Sequence, residues 1–134
     1  MDRIEITGLR ALGHHGVSEP ERRDGQTFLL DVGLELDLSG AAATDDLAAT
    51  VDYGSLAARL ADEVATTRFD LIEALASHLA DVVLTATPAR AVSVRVAKPD
   101  APMTVDVDQV AVTLRRERET SGAPAGAWAG GFAE

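Results

Sequence analysis

The sequence predicts an α+β fold: an antiparallel four-stranded sheet with two helices on one face, in the order strand-strand-helix-helix-strand-strand. Two observations predict it. Side chains alternate between apolar and polar near both ends of the chain, the period of half-buried strands. Between these ends lie two stretches whose leucines and valines recur at helical spacing.

Residues 2–12 form the first strand, with Ile4 and Ile6 on one side and Arg3, Glu5 and Thr7 on the other. Residues 26–38 form a longer one: Phe28, Leu30, Val32, Leu34, Leu36 and Leu38 share a face, and Asp31, Glu35 and Asp37 share the opposite one. The stretch GHHGVSEPERRDGQTF at 13–28 joins them as a long antiparallel hairpin. Residues 39–52 are a connection rich in turn-formers. A helix fits 53–66, with Asp52 before it as N-cap and Leu56, Leu60 and Val64 four apart. A second fits 71–86, with Leu71, Leu75, Leu79 and Val82 as its stripe and Ile72 and Val83 beside it. Alternation returns at 91–98 through Val92, Val94 and Val96, and again at Val110, Val112 and Leu114. Past about Glu117 it stops. The domain therefore spans 1–117, and 118–134, small and aperiodic, reads as a disordered tail in which Trp128 and Phe132 are stray aromatics.

Hydrophobic residues make up 46% of the 134, but aromatics only 4%, so the core is aliphatic. A net charge of −10 argues against nucleic acid and against an anionic membrane surface. The chain has no cysteine, which excludes disulfides and thiolate chemistry and suits a cytoplasmic protein. The charged start is not a signal peptide, and no segment approaches the roughly 18 apolar residues of a membrane span. Helices on one face leave the other face polar and two sheet edges open. A closed ring of subunits would use those edges and enclose a polar lumen.

The three histidines do not read as a metal site. His14 and His15, adjacent on extended chain, point to opposite faces, and His78 has no obvious partner in its helix. A turn with a hydrogen-bonding histidine is the simpler reading. Gly13, Gly16 and Gly25 fit turns and bulges, since no strand-to-helix step with a Gly-Lys-Ser/Thr follows them. In isolation Glu19, Glu21, Arg22 and Arg23 read as a solvated loop. Lys98 continues the register of Val92, Val94 and Val96, so it leaves the sheet from the apolar face before Pro99 ends the strand. It is either a snorkelling strand-end lysine or a partly desolvated amine suited to proton transfer. Asp70 and Glu73 match a capping box, although a carboxylate at a helix start could also accept two parallel N–H donors from an amidine-like heterocycle. Tyr53, the single tyrosine, is otherwise a packing residue.

Four pieces, GHHGVSEPERRDGQTF, DDLAATVDYG at 45–54, LIEALA at 71–76 and VAKPDAP at 96–102, together resemble the dihydroneopterin aldolase family in order and spacing. The resemblance covers residues 2 to about 117. It implies a tunnelling fold, with subunits closing into a ring-shaped barrel as a tetramer or a stacked octamer. It implies retro-aldol cleavage of 7,8-dihydroneopterin, a folate-pathway pterin, to 6-hydroxymethyl-7,8-dihydropterin and glycolaldehyde. Such enzymes use no metal, Schiff base or other cofactor. Carried over by position, Lys98, Glu21 and Tyr53 are catalytic, Tyr53 in a neighbouring subunit's site. Glu73 anchors the pterin, assisted by the main chain of Ile72, with Glu21 and Tyr53 also touching substrate. His15 matches a loop histidine with a structural role. Side epimerase activity is expected. The alternatives are a dihydroneopterin triphosphate epimerase, which would need several cations, and a non-catalytic pterin-binding ring, which would lack Lys98 or Tyr53.

Overall fold

The computed structural model describes residues 1–119; the expected tail lies outside the described residues from position 120 on, Trp128 and Phe132 with it. The strands β1 (Asp2–Gly13), β2 (Gln26–Leu36), β3 (Ala91–Lys98) and β4 (Val110–Glu117) form one antiparallel sheet in sequence order. The helices α3 (Tyr53–Thr66) and α4 (Ile72–Ala86) cover one face, α3 over β1 and α4 over β3 and β4. Two short helices, α1 (Glu19–Asp24) and α2 (Ser39–Thr44), and a 3₁₀ turn at Leu47–Ala49 occupy stretches that the pattern left as loop.

The core lies between the sheet and the helix pair. From β2, Phe28, Leu30, Val32, Leu34 and Leu36 are buried; from β3, Val92, Val94 and Val96; from α3, Leu56, Leu60 and Val64. Helix α4 adds Ile72, Leu75, Leu79, Val82 and Val83. Each fully buried side chain of this size contributes about 1.5–3 kcal/mol. Leu71 is a correction: it precedes α4 as an extended residue and is exposed. Leu38 corrects the length of β2, because the chain leaves the strand after Leu36 and Leu38 becomes the cap of α2.

β1 does not alternate from end to end. Ile6 pairs with Val32 and Leu9 with Leu30, so Thr7 and Gly8 together face Asp31 in a β-bulge. Gly8 sits at φ +69°, where side chains are disfavoured, and its N–H donates to the Asp31 carboxylate at 2.7 Å. The extra residue shifts the phase, turning Leu9 and Ala11 onto the face that Ile4 and Ile6 occupy before it.

The open face is polar, as the alternation predicts. Arg115 grips both oxygens of the Glu35 carboxylate at 3.0 and 3.1 Å, and Asp31 lies 3.6 Å from Arg95. The edges of the sheet are β1 and β4. Among the described residues no helix is long and apolar enough to cross a membrane.

Candidate active site

The stretch at 13–28 makes a hook. β1 ends at Gly13, the chain turns through Gly16, and α1 begins after Ser18. α1 has the capping box that the sequence carries as Ser-Glu-Pro-Glu: the Ser18 hydroxyl accepts from the Glu21 N–H at 3.3 Å, and the Glu21 carboxylate accepts from the Ser18 N–H at 3.2 Å. That signature is visible in the sequence and marks both the helix and the orientation of Glu21. Gly16 stands at φ +142°, and a Cβ there would collide with the Glu21 carboxylate. Glycine is thus favoured by conformation, and any other residue would displace the Glu21 carboxylate.

Glu21 is the most constrained acid of the described chain. Its carboxylate accepts from the Ser18 hydroxyl at 2.9 Å, from Gln26 at 3.2 Å and from the Lys98 ammonium at 2.8 Å. Burial pushes its pKa up, but the Lys98 hydrogen bond, the two Ser18 bonds and the Lys98 charge outweigh that and hold it at about 2. The Glu21 and Lys98 side chains are only 8% and 15% exposed, so the pair is shielded from solvent screening. Lys98 leaves the end of β3 from the apolar face, in the register its sequence position predicts, and meets a partner 77 residues away in the chain.

Across a pocket of about 260 Å³ from this pair stands the start of α4. Val17, Glu21, Ile72, Glu73, Lys98 and Met103 are among its walls. The expected capping box at Asp70–Glu73 does not form. Leu71 occupies the cap position and no side chain caps the helix, because Asp70 is drawn to Arg22 at 3.2 Å and Arg68 at 3.6 Å. The Glu73 carboxylate is therefore exposed, with no hydrogen bond to other described residues. It lies beside the helix N-terminus, where unpaired N–H groups favour an anion or an acceptor.

Lys98, Glu21, Glu73 and Ile72 thus meet at one pocket; Tyr53 does not. It opens α3, is 62% exposed, and lines a different hollow with Asp46, Leu47 and Asp52. The expected N-cap is there, the Asp52 carboxylate accepting from Ser55 N–H at 3.1 Å. At 1.5 Å per residue, Tyr53 lies about 17 Å along the helix from Val64, whose carbonyl abuts the hook through His15.

His15 is fully buried, with its ring stacked on Phe69 and edge-on to Phe28. Burial pushes its pKa below the ordinary 6.5; the Val64 bond raises it, and the Arg68, His14 and Lys98 charges lower it further. The sign follows: its contribution to stability is complete above about pH 6.5 and is lost as pH falls through the depressed pKa. His78 corrects the expectation of no partner, since its Nε2 lies 2.6 Å from Glu63 on α3. Among the described residues no group of three or more acidic or histidine side chains could hold a metal ion.

The chain matches the dihydroneopterin aldolase family model over residues 4–115. This chain belongs to the dihydroneopterin aldolase family. The Streptomyces coelicolor dihydroneopterin aldolase is 50% identical over 118 residues, 88% of this chain and 99% of that protein. The Escherichia coli dihydroneopterin aldolase, solved in complex with neopterin, superposes with a TM-score of 0.80 at 28% identity, covering 87% of this chain and 99% of that one. A Burkholderia dihydroneopterin aldolase bound to guanine gives 0.72 at 27% identity, over 88% and 92% of the two chains. In this dihydroneopterin aldolase family member, Lys98, Glu21, Glu73 and Ile72 line one pocket.

Proposed function

We propose that this pocket binds the pterin of 7,8-dihydroneopterin at Glu73 and cleaves its side chain with the Lys98–Glu21 pair. The observation that carries the reading is the 2.8 Å ion pair facing an unpartnered carboxylate across one pocket. Neopterin and guanine, the ligands of the two solved relatives, share an amino-pyrimidine edge. That edge offers two parallel N–H donors, which one carboxylate accepts with both oxygens. The Ile72 main chain, at the first turn of α4, supplies a further polar contact.

Anchored there, the substrate presents its side chain to Lys98. The 2′-hydroxyl loses its proton, the C1′–C2′ bond breaks, and C2′ leaves as the carbonyl carbon of glycolaldehyde. The bonding electrons pass into the ring imine with N5 protonated, giving an enol that takes one proton at C1′ as N5 gives its own up, which restores the imine. Lys98 moves these protons, and Glu21, held ionised, fixes the amine and shares its hydrogen bond. The substrate's own ring is the electron sink.

Lys98 is the single cation among the described residues lining the pocket, against Glu21, Asp70 and Glu73. Nearby Arg22 is engaged by the Gly16 carbonyl and Asp70. That charge balance suits an uncharged dihydroneopterin side chain better than a triphosphate. Incubation with 7,8-dihydroneopterin and product analysis should show glycolaldehyde and 6-hydroxymethyl-7,8-dihydropterin in equal amounts, insensitive to chelators. An epimer of the substrate as the dominant product would assign the chain to epimerisation instead.

The remote Tyr53 and the two open sheet edges support a ring in which each tyrosine completes the neighbouring subunit's pocket. Co-refolding equal amounts of Tyr53→Phe and Lys98→Ala chains should then restore activity well above the sum of the two parents. Random mixing pairs an intact tyrosine with an intact lysine at roughly a quarter of interfaces. A mixture that exchanges subunits, as shown by mass, yet gives only the parental average would place the whole site within one chain.

A further inference from the structure

The ring of His15 bonds to two separate parts of the site's frame. Its Nε2 lies 2.8 Å from the Val64 carbonyl in the last turn of α3, and its Nδ1 accepts from the Phe69 N–H at 3.0 Å. The next residue, Gly16, donates its N–H to the Phe69 carbonyl at 3.0 Å. Phe69 is thus held at both its N–H and its carbonyl by consecutive residues of the hook. The hook carries Glu21, and two residues beyond Phe69 the chain reaches Leu71 and the start of α4 with Ile72 and Glu73.

The bonding fixes the tautomer. A carbonyl can only accept, so Nε2 carries the hydrogen; the Phe69 N–H can only donate, so Nδ1 is bare. A doubly protonated ring would set N–H against N–H at Phe69. We propose that His15 is a positioning residue for the reaction: as the neutral Nε2–H tautomer it sets the separation between the Glu21–Lys98 pair and the pterin anchor at Ile72–Glu73. This rests on the roles given above to those four residues. The charged and titratable groups around it are His14 on its own segment, Arg68 on the α3–α4 connection and Lys98 at the end of β3. Behind Phe69 lie His78 of α4 and, bonded to it, Glu63 of α3.

The proposal separates the two ends of the ring. An asparagine places an acceptor oxygen near the Nδ1 position, whereas a glutamine places a donor nitrogen near the Nε2 position. His15→Asn should keep the Phe69 bond and hold kcat within about threefold of wild type per folded protein. His15→Gln should lose that bond and drop kcat by about tenfold to a hundredfold at nearly unchanged KM, since the pterin still anchors while its side chain sits out of line. Equal kcat values in the two folded variants would overturn the proposal and leave His15 with a packing role. Should neither variant fold, ¹⁵N spectra of the unaltered full-length protein decide. The imidazole should be the neutral Nε2–H tautomer wherever kcat is maximal, and kcat should fall as it protonates in acid. An Nδ1–H tautomer, or a kcat that holds while the ring titrates, would sink the idea. The tautomer is read without turnover, so this outcome is independent of whether Lys98 and Glu73 do what is assigned to them.

Discussion

Lys98→Ala should reduce turnover by about a hundredfold or more, the usual loss for a general acid–base group, while neopterin affinity stays close to wild type. The proposed pterin anchor is Glu73 and the α4 start, which the substitution leaves intact. The same change strips the Glu21 carboxylate of its cation at 2.8 Å, leaving a shielded anion that only Ser18 and Gln26 still support. Its pKa should rise from about 2. The sign can be worked out. Glu21 is depressed in the folded wild type, so its stabilising contribution is present above about pH 4.5 and lost as pH falls toward about 2. The gap in Tm between wild type and variant should therefore be wide at neutral pH and close in acid. Near-normal turnover in a folded Lys98→Ala protein would return the residue to a snorkelling strand-end lysine.

Glu73→Ala should leave folding nearly untouched and abolish tight pterin binding. The side chain is exposed, caps nothing and has no partner among the described residues, so its loss should move stability by no more than about 0.5 kcal/mol. Two charge-assisted hydrogen bonds to a heterocycle are together worth about 3 kcal/mol or more, over a hundredfold in Kd. Glu73→Gln should bind poorly as well, because an amide offers one acceptor oxygen to two donors. Calorimetric titration with neopterin beside a thermal melt checks both halves. Unchanged affinity in either variant would remove Glu73 from the binding site.

Much of this was legible in the sequence where periodicity carries burial. The α3 and β3 boundaries match the pattern read from 53–66 and 91–98, and the register of Val92, Val94 and Val96 correctly sends Lys98 to the buried face. What stayed hidden was decided by tertiary partners. Asp70 has the residue type and spacing of a cap, yet two arginines compete for it and win. His78 finds Glu63 only because two helices pack side by side. The bulge at Thr7–Gly8 leaves a glycine as its sole trace. The capping box at Ser18–Glu21 is readable, although in isolation the charges around it read as a solvated loop.

That capping box binds secondary structure to chemistry in a way that constrains how such a chain can change. A helix as short as α1 has almost no stability of its own. It persists because the Glu21 carboxylate closes its first turn while also meeting Lys98. Local order and the Glu21–Lys98 ion pair therefore draw on the same two oxygen atoms. Substitutions at Gly16, Ser18 or Gln26 thus act on the aim of that carboxylate. An engineer raising thermal stability has room on the outer surfaces of α3 and α4 and almost none in the hook, where a better helix would be a differently aimed carboxylate.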